Sequence, residues 1–405
     1  MRRRVLVTGV GVVSPIGIGR EAFGAALREG RSGIGPLTRF DARDGPCRVA
    51  AEVRGFDAAA FIDPREARRM DPVDHYAVAA ARLALADAGL VVTDANRGRI
   101  GLVLGTALYG VQFGEAQHAV FRAAGLRRVS PYTAIAIFPF SPIGFVSIAL
   151  GITGWSNVIT SCAASGADAI AHARDAIEAG TADVMIAGGV EAPLSPTILR
   201  GLDAAAALSR GAHSRPYDRG RDGFVLGEGA GLVVLEAEDH ARARGARADA
   251  ELLGCGTANG PYDSGGLGID YDTAAEAVAA ALEDARCRPG DVDLVSANAA
   301  SEVENDRLEA ALIGERYGGA CPPVTSIRSM VGQTLGASAG LQAAASLFAI
   351  REGFLPPTIN YETPDPGCLV RSLVTQGRAA PVRRVVQHSF GYLGTQSVLV
   401  FGAAA

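Results

Sequence analysis

A thiol stands where the chain passes from an apolar run into an alanine-rich one. Residues 154–160 read Gly-Trp-Ser-Asn-Val-Ile-Thr, the next six are Ser161-Cys162-Ala163-Ala164-Ser165-Gly166, and residues 167–180 are mostly small and apolar. The pattern predicts a strand, a tight turn and a helix. A thiol at such a turn is open to a reactant, and the positive end of the helix favours its thiolate. Further on, Asn298 precedes the pair Asn305-Asp306, and Arg328-Ser-Met-Val-Gly332-Gln333 forms another turn. Amides such as Asn298 and Gln333 form hydrogen bonds but do not shuttle protons near neutral pH. Of the six histidines, His75, His118, His172, His213 and His240 lie away from these turns. His388 is close to the glycine-rich segment Ser389-Phe-Gly-Tyr-Leu-Gly-Thr-Gln396.

The elements that must position these residues repeat. A helix-like run from Tyr76 to Asp87 leads to the apolar run from Ile100 to Thr106. A second run, from Thr273 to Asp284, leads to Val292–Asn298 in the same order. Strands alternate with helices, which implies α/β layers and mostly parallel sheets. Two copies of one unit imply a pseudo-twofold molecule with a site where the halves meet. The division is placed at 1–250 and 251–405, in the charged run around residues 238–247.

Composition narrows the function. A chain of 405 residues with 48% hydrophobic and 20% charged residues can bury a large core. A net charge of −5 gives no sign of a nucleic-acid surface. All 38 basic residues are arginine, so lysine Schiff-base and P-loop chemistry are excluded. The six cysteines form no CxxC pair, which argues against a zinc site or a disulfide scaffold and fits a reducing cytoplasm. Gly9-x-Gly11 hints at a dinucleotide turn, but Ser14-Pro15 replaces the third glycine and no helix opens there. The apolar N-terminal run is too short and broken for a signal peptide, and no run reaches a membrane span. No cofactor or metal is expected.

Several motifs, in order, resemble the β-ketoacyl synthases of the thiolase-like superfamily. They are Val5 to Gly17, the turn at 161–166, Val184 to Glu191, Arg215-Pro-Tyr-Asp-Arg-Gly-Arg-Asp222-Gly-Phe-Val-Leu-Gly-Glu228-Gly-Ala-Gly231, and the C-terminal glycine loop. The resemblance covers nearly the whole chain. It implies a thiolase-like α/β fold, two pseudo-twofold halves with α-β-α-β-α layers.

Matched on Ser165-Gly166, the family's nucleophilic cysteine falls on Ala163. A second reading keeps Cys162 as nucleophile with one residue added after it. The family's two active-site histidines fall on Asn298 and Gln333, and its lysine on Arg328. A glycine of the C-terminal loop becomes Leu393, between Tyr392 and Gly394 and near Phe390. On the first reading the chain resembles a ketosynthase β subunit, or chain length factor, of type II polyketide synthases. That implies a non-catalytic protein paired with an active ketosynthase α subunit, and a polyketide chain carried on an acyl carrier protein. Tyr109, Gln112, Phe113 and Thr133 would then line its chain-length tunnel, with residues 130–140 and 154–163 at the interface. The alternatives are an active synthase using Cys162, or an inactivated homodimeric synthase.

Overall fold

The computed structural model describes residues 2–42, 45, 47–211, 213–260 and 267–404. Along the main strand order of the large sheet, five strands come from the first half of the chain: β1 (Val5–Ser14), β2 (Ile100–Gly105), β3 (Ser156–Ile159), β4 (Val184–Glu191) and β5 (Gly229–Ala237). Five come from the second: β6 (Ala250–Asn259), β7 (Leu294–Ser296), β8 (Val324–Thr325), β9 (Arg384–Phe390) and β10 (Thr395–Ala403). The helices that matter for the site are α1 (Pro72–Asp87), α2 (Val111–Ala124), α3 (Ser141–Leu150), α4 (Ser165–Glu178), α5 (Tyr271–Asp284), α6 (Val303–Tyr317) and α7 (Ser338–Glu352).

The strand order shows the repeat. The first half runs β3-β2-β4-β5-β1 and the second β8-β7-β9-β10-β6, so each half is ordered 3-2-4-5-1 in its own count. In each half, counted from the sheet edge inward, the first two pairs are parallel and the last two antiparallel, so the sheet is mixed and not mostly parallel. The halves join through a short antiparallel contact of β1 and β6 at Leu6↔Glu251 and Val7↔Ala250.

Alternation along the strands builds the layers. On β4, Met185 and Ala187 enter the central core while Val184 and Ile186 face α1. On β10, Leu399 and Phe401 enter the same central core while Val398 and Val400 face α5 and α6. Helices α4 and α7 supply the middle layer, and α7 is buried from Ser338 to Ile350. This is the α-β-α-β-α stack that the resemblance implied.

Gly9 and Gly11 bring β1 against α1. A Cβ there would lie 2.4 Å from the Ala84 carbonyl oxygen and 1.9 Å from that of Ala80. Gly254 and Gly256 do the same for β6 and α5, at 2.6 Å from the Ala281 oxygen and 2.2 Å from that of Ala277. The Gly-x-Gly motif is therefore a repeated packing device. The start of α1 is fixed by a capping box of Asp71 and Asp74 with Pro72 in the first turn.

Candidate active site at the two helix-entry turns

The two central helices are entered in the same way. A 3-10 turn, Cys162–Ala164, precedes α4, and another, Leu335–Ala337, precedes α7. Each opens on a residue of positive φ, Cys162 at 55° and Leu335 at 44°. Non-glycine residues seldom adopt this conformation, and strain of this kind gathers at functional turns. Ser165 locks the first turn. Its hydroxyl accepts from Ser161 N at 2.8 Å and donates to the Cys162 carbonyl at 2.6 Å.

A buried carboxyl ties the second turn to the residues that follow β2. Glu191, at the end of β4, accepts from the N–H groups of Ala107 (2.7 Å), Leu108 (3.1 Å) and Gly336 (3.0 Å) and lies 3.3 Å from the Thr106 hydroxyl. Burial pushes it up to about 8 despite these donors.

The loop between β9 and β10 crosses the first turn. Gly391 runs so close that a Cβ would lie 2.8 Å from the Ser161 oxygen. Burial pushes the Cys162 thiol up from its ordinary value. The thiol is half-buried, whereas Ala163 is fully buried.

Asn298 and Gln333 are brought to the same loop. Asn298 Oδ1 accepts from Phe390 N at 2.9 Å. Gln333 Oε1 accepts from the Ser338 hydroxyl at 2.7 Å, and its Nε2 donates to the Tyr392 hydroxyl at 3.3 Å. Two carboxylates of α6 hold the Asn298 loop in place. Asp306 accepts from Ala300, Ser301 and Glu302, and Glu309 from Asn298 and Ala299. The Asn305-Asp306 pair is thus a loop organiser. In the Arg215–Gly231 segment, Glu228 binds Arg39 and the Tyr76 hydroxyl, so its role is to fix loops.

Arg328 is 1% exposed; its Nη2 donates to Gln342 at 3.1 Å, while Nε and Nη1 have no protein partner among the described residues. Burial lowers its pKa. Leu393 takes a left-handed conformation (φ 64°, ψ 28°) with its side chain 68% exposed. Its backbone therefore has the geometry glycine suits best, and its side chain points away from the core. His388 donates or accepts at Glu309, 2.9 Å away, and stacks on Phe390. None of the histidines forms a hydrogen bond with Cys162, Asn298, Gln333 or Tyr392 among the described residues.

The segment after β2 carries Tyr109, Gln112 and Phe113, all half-buried. Gln112 donates to the Ala192 carbonyl at 3.1 Å, and Phe113 N donates to Asp71 at 2.8 Å. Thr133 is also half-buried and donates to the Ser130 carbonyl at 2.7 Å. One group escaped the sequence reading. Glu302 ends the Asn298 loop and accepts from the Tyr392 hydroxyl at 3.1 Å. Its only signal was a carboxylate in a stretch of alanine, serine and asparagine. No group of side chains able to hold a metal ion is found among the described residues, and no helix among them is long and apolar enough to cross a membrane.

The family models of the β-ketoacyl synthase N-terminal and C-terminal domains match residues 2–241 and 249–362. The 3-oxoacyl-[acyl-carrier-protein] synthase 2 of Synechocystis sp. is 39% identical over 99% of this chain and 98% of its own length. The protein of the same name from Coxiella burnetii is 37% identical, with 98% of each chain covered. Among solved structures, the ishigamide ketosynthase/chain length factor matches with a TM-score of 0.93 at 33% identity over all of both chains. A β-ketoacyl synthase from Burkholderia phymatum matches with a TM-score of 0.91 at 30% identity, again over all of both chains. A type II PKS acyl-carrier protein in complex with its ketosynthase gives a TM-score of 0.90 at 30% identity over the full length of both chains.

These matches correct one expectation. The chain was expected to be a non-catalytic chain length factor, no enzyme on its own. The curated relatives that span its full length are named as synthases, and this overturns that reading in favour of an active synthase. By both family models, and by relatives matched from end to end, the chain belongs to the β-ketoacyl synthase family.

Proposed function

We propose that this chain is an acyl-transferring synthase of the 3-oxoacyl-carrier-protein synthase type, with Cys162 as the acyl acceptor. The observation that carries the reading is the place of Cys162, half-buried and at positive φ in the turn that enters α4, with the β9–β10 loop crossing that turn at Gly391. The synthase names of the full-length relatives support it. Asn298 and Gln333 supply amides in place of histidines, to position a thioester and not to move protons.

The substrate class is an acyl thioester on an acyl carrier protein, and the cytoplasm is the compartment. Tyr109, Gln112, Phe113 and Thr133 border the path of the acyl chain. A second synthase-fold subunit covers the open edge of β3. Incubation with an acyl thioester followed by peptide mass spectrometry tests the core of this. The acyl mass should map to Cys162 and disappear in Cys162→Ala. An unlabelled Cys162 in the folded parent, alone and with its partner subunit, would sink the reading.

A further inference from the structure

The first turn of α2 has no cap of its own. The first bond inside the helix runs from Gly114 N to the Gly110 carbonyl, so the N–H groups of Val111, Gln112 and Phe113 need acceptors from elsewhere. A side-chain oxygen at the capping position normally serves one of them. Gly110 stands there, and no side chain fits. Its φ is 65°, and a Cβ would lie 2.2 Å from the Ala136 carbonyl oxygen.

The acceptor comes from another helix. Asp71 caps α1 with Oδ1, which accepts from Val73 N at 3.0 Å, while its Oδ2 accepts from Phe113 N at 2.8 Å. Asp71 is fully buried. Asp74, also fully buried, accepts from Asp71 N at 2.9 Å and from the Ser141 hydroxyl, at the start of α3, at 3.1 Å. Two carboxyls in one turn of chain thus meet the starts of three helices. Core packing contributes little to placing α2, none of whose residues is buried. Polar ties do more. Gln112 donates to the Ala192 carbonyl at 3.1 Å, Glu115 accepts from the Ser195 hydroxyl at 2.7 Å, and Asp71 holds Phe113 N. Of these three ties, only the last grips the backbone of Phe113.

We propose that Asp71 is a positioning residue for acyl-chain selection, which fixes Phe113 in the wall of the acyl path by capping α2 from α1. The inference rests on Phe113 bordering that path and on Cys162 receiving the acyl group. A hydrogen bond to a backbone N–H in the first turn sets the depth and the rotation of the helix start. The Phe113 ring therefore keeps one place against the acyl chain, and a long chain meets a fixed wall.

The test separates the two caps. Asp71→Ser keeps an oxygen for Val73 N, because serine caps a helix about as well as aspartate, but it is one bond too short to reach Phe113 N. Hydrogen exchange of the full chain, resolved to single amides by mass spectrometry, should show Phe113 N–H exchanging at least about fivefold faster and Val73 N–H unchanged. Competition between acetyl and dodecanoyl N-acetylcysteamine thioesters for Cys162 should shift about fivefold toward the longer chain, in the direction expected of Phe113→Ala. Asp71→Ser added to Phe113→Ala should give no further shift, because both act through one side chain. An unchanged ratio in folded Asp71→Ser, where Phe113→Ala does shift it, would overturn the role of Asp71, and so would shifts that simply add. A ratio unmoved by Phe113→Ala would instead strike the path reading, and no acylation of the parent would strike Cys162 as acceptor. If Asp71→Ser does not fold, the parent decides: a Phe113 amide that exchanges as fast as an unstructured one overturns the proposal, and a protected one supports it.

Discussion

Cys162 is held in a conformation that costs about 1–3 kcal/mol for a non-glycine residue. Ser165 and the crossing loop keep it there. The neighbouring Ala163 points into the core, so one step along the chain exchanges a half-open site for a closed one. At the same scale, we propose that the side chains after β2 set the size of acyl group accepted; the Gly105 end of that strand lies against the backbone of Ser165. Replacing Tyr109 or Phe113 with alanine should let longer acyl thioesters load onto Cys162, and Thr133→Phe should exclude them. Overfilling a packed space costs about 1–3 kcal/mol, or about 5- to 150-fold in relative loading. Competition among thioesters of graded length, read by mass spectrometry, measures this. A fixed length preference across all three variants would remove these residues from the path.

Among the elements, α7 and α1 carry distinct tests. Helix α7 lies backbone to backbone on β5, where a Cβ on Gly340 would be 2.0 Å from the Gly231 oxygen. Gly340→Ala should therefore destabilise by at least about 1–3 kcal/mol, although alanine is the better helix former. Urea unfolding measures it, and an unchanged midpoint would mean that the helix and sheet can separate freely. At the start of α1, Asp74 accepts from Asp71 N at 2.9 Å and from the Ser141 hydroxyl at 3.1 Å. Burial pushes it up to about 8. This folded value lies above the unfolded one, so between about pH 4 and about pH 8 the folded chain holds a proton that the unfolded chain has lost. The contribution is complete below that window and is lost as pH rises through it. Asp74→Asn should thus gain stability relative to the parent with rising pH, by up to about 1.4 kcal/mol per pH unit. Denaturant curves at several pH values test this, and a constant difference would show that Asp74 is ionised when folded.

For the whole molecule, the open edge of β3 is the feature that needs a partner. β3 pairs on one side with β2 and ends the sheet. The adjoining segments expose Ile135, Ile137, Phe138, Phe140, Ile148 and Trp155, each at least 41% exposed. An unpaired strand edge beside large apolar side chains is normally covered in the assembled protein. Light scattering should give about twice the 41.6 kDa of one chain, and Phe138→Arg with Trp155→Arg should halve it. A parent chain that stays monomeric alone and ignores a related synthase would defeat the idea. The division at 1–250 and 251–405 is likewise our proposal, since the sheet itself runs across it through β1 and β6.

Much was written in local pattern. Helix and strand periodicity recur in the two halves, and α1–β2 and α5–β7 follow from them because burial of an apolar face depends on spacing along one element. The turn at Cys162 and the importance of the Asn298 and Gln333 loops were legible for the same reason, as breaks between such elements. The layer order needed the strand pairings, which join residues far apart in sequence. The partners of each site group also depended on long-range placement. Glu302 is an ordinary carboxylate in the sequence; burial and the charge of Asp306 push it up to about 7, against the hydrogen bond from the Tyr392 hydroxyl. That Cys162 is half-exposed while Ala163 is buried depends on the backbone φ at one residue and on a loop that arrives from the other half of the chain. Dielectric surroundings and converging N–H groups belong to the packed structure, and no local spacing encodes them.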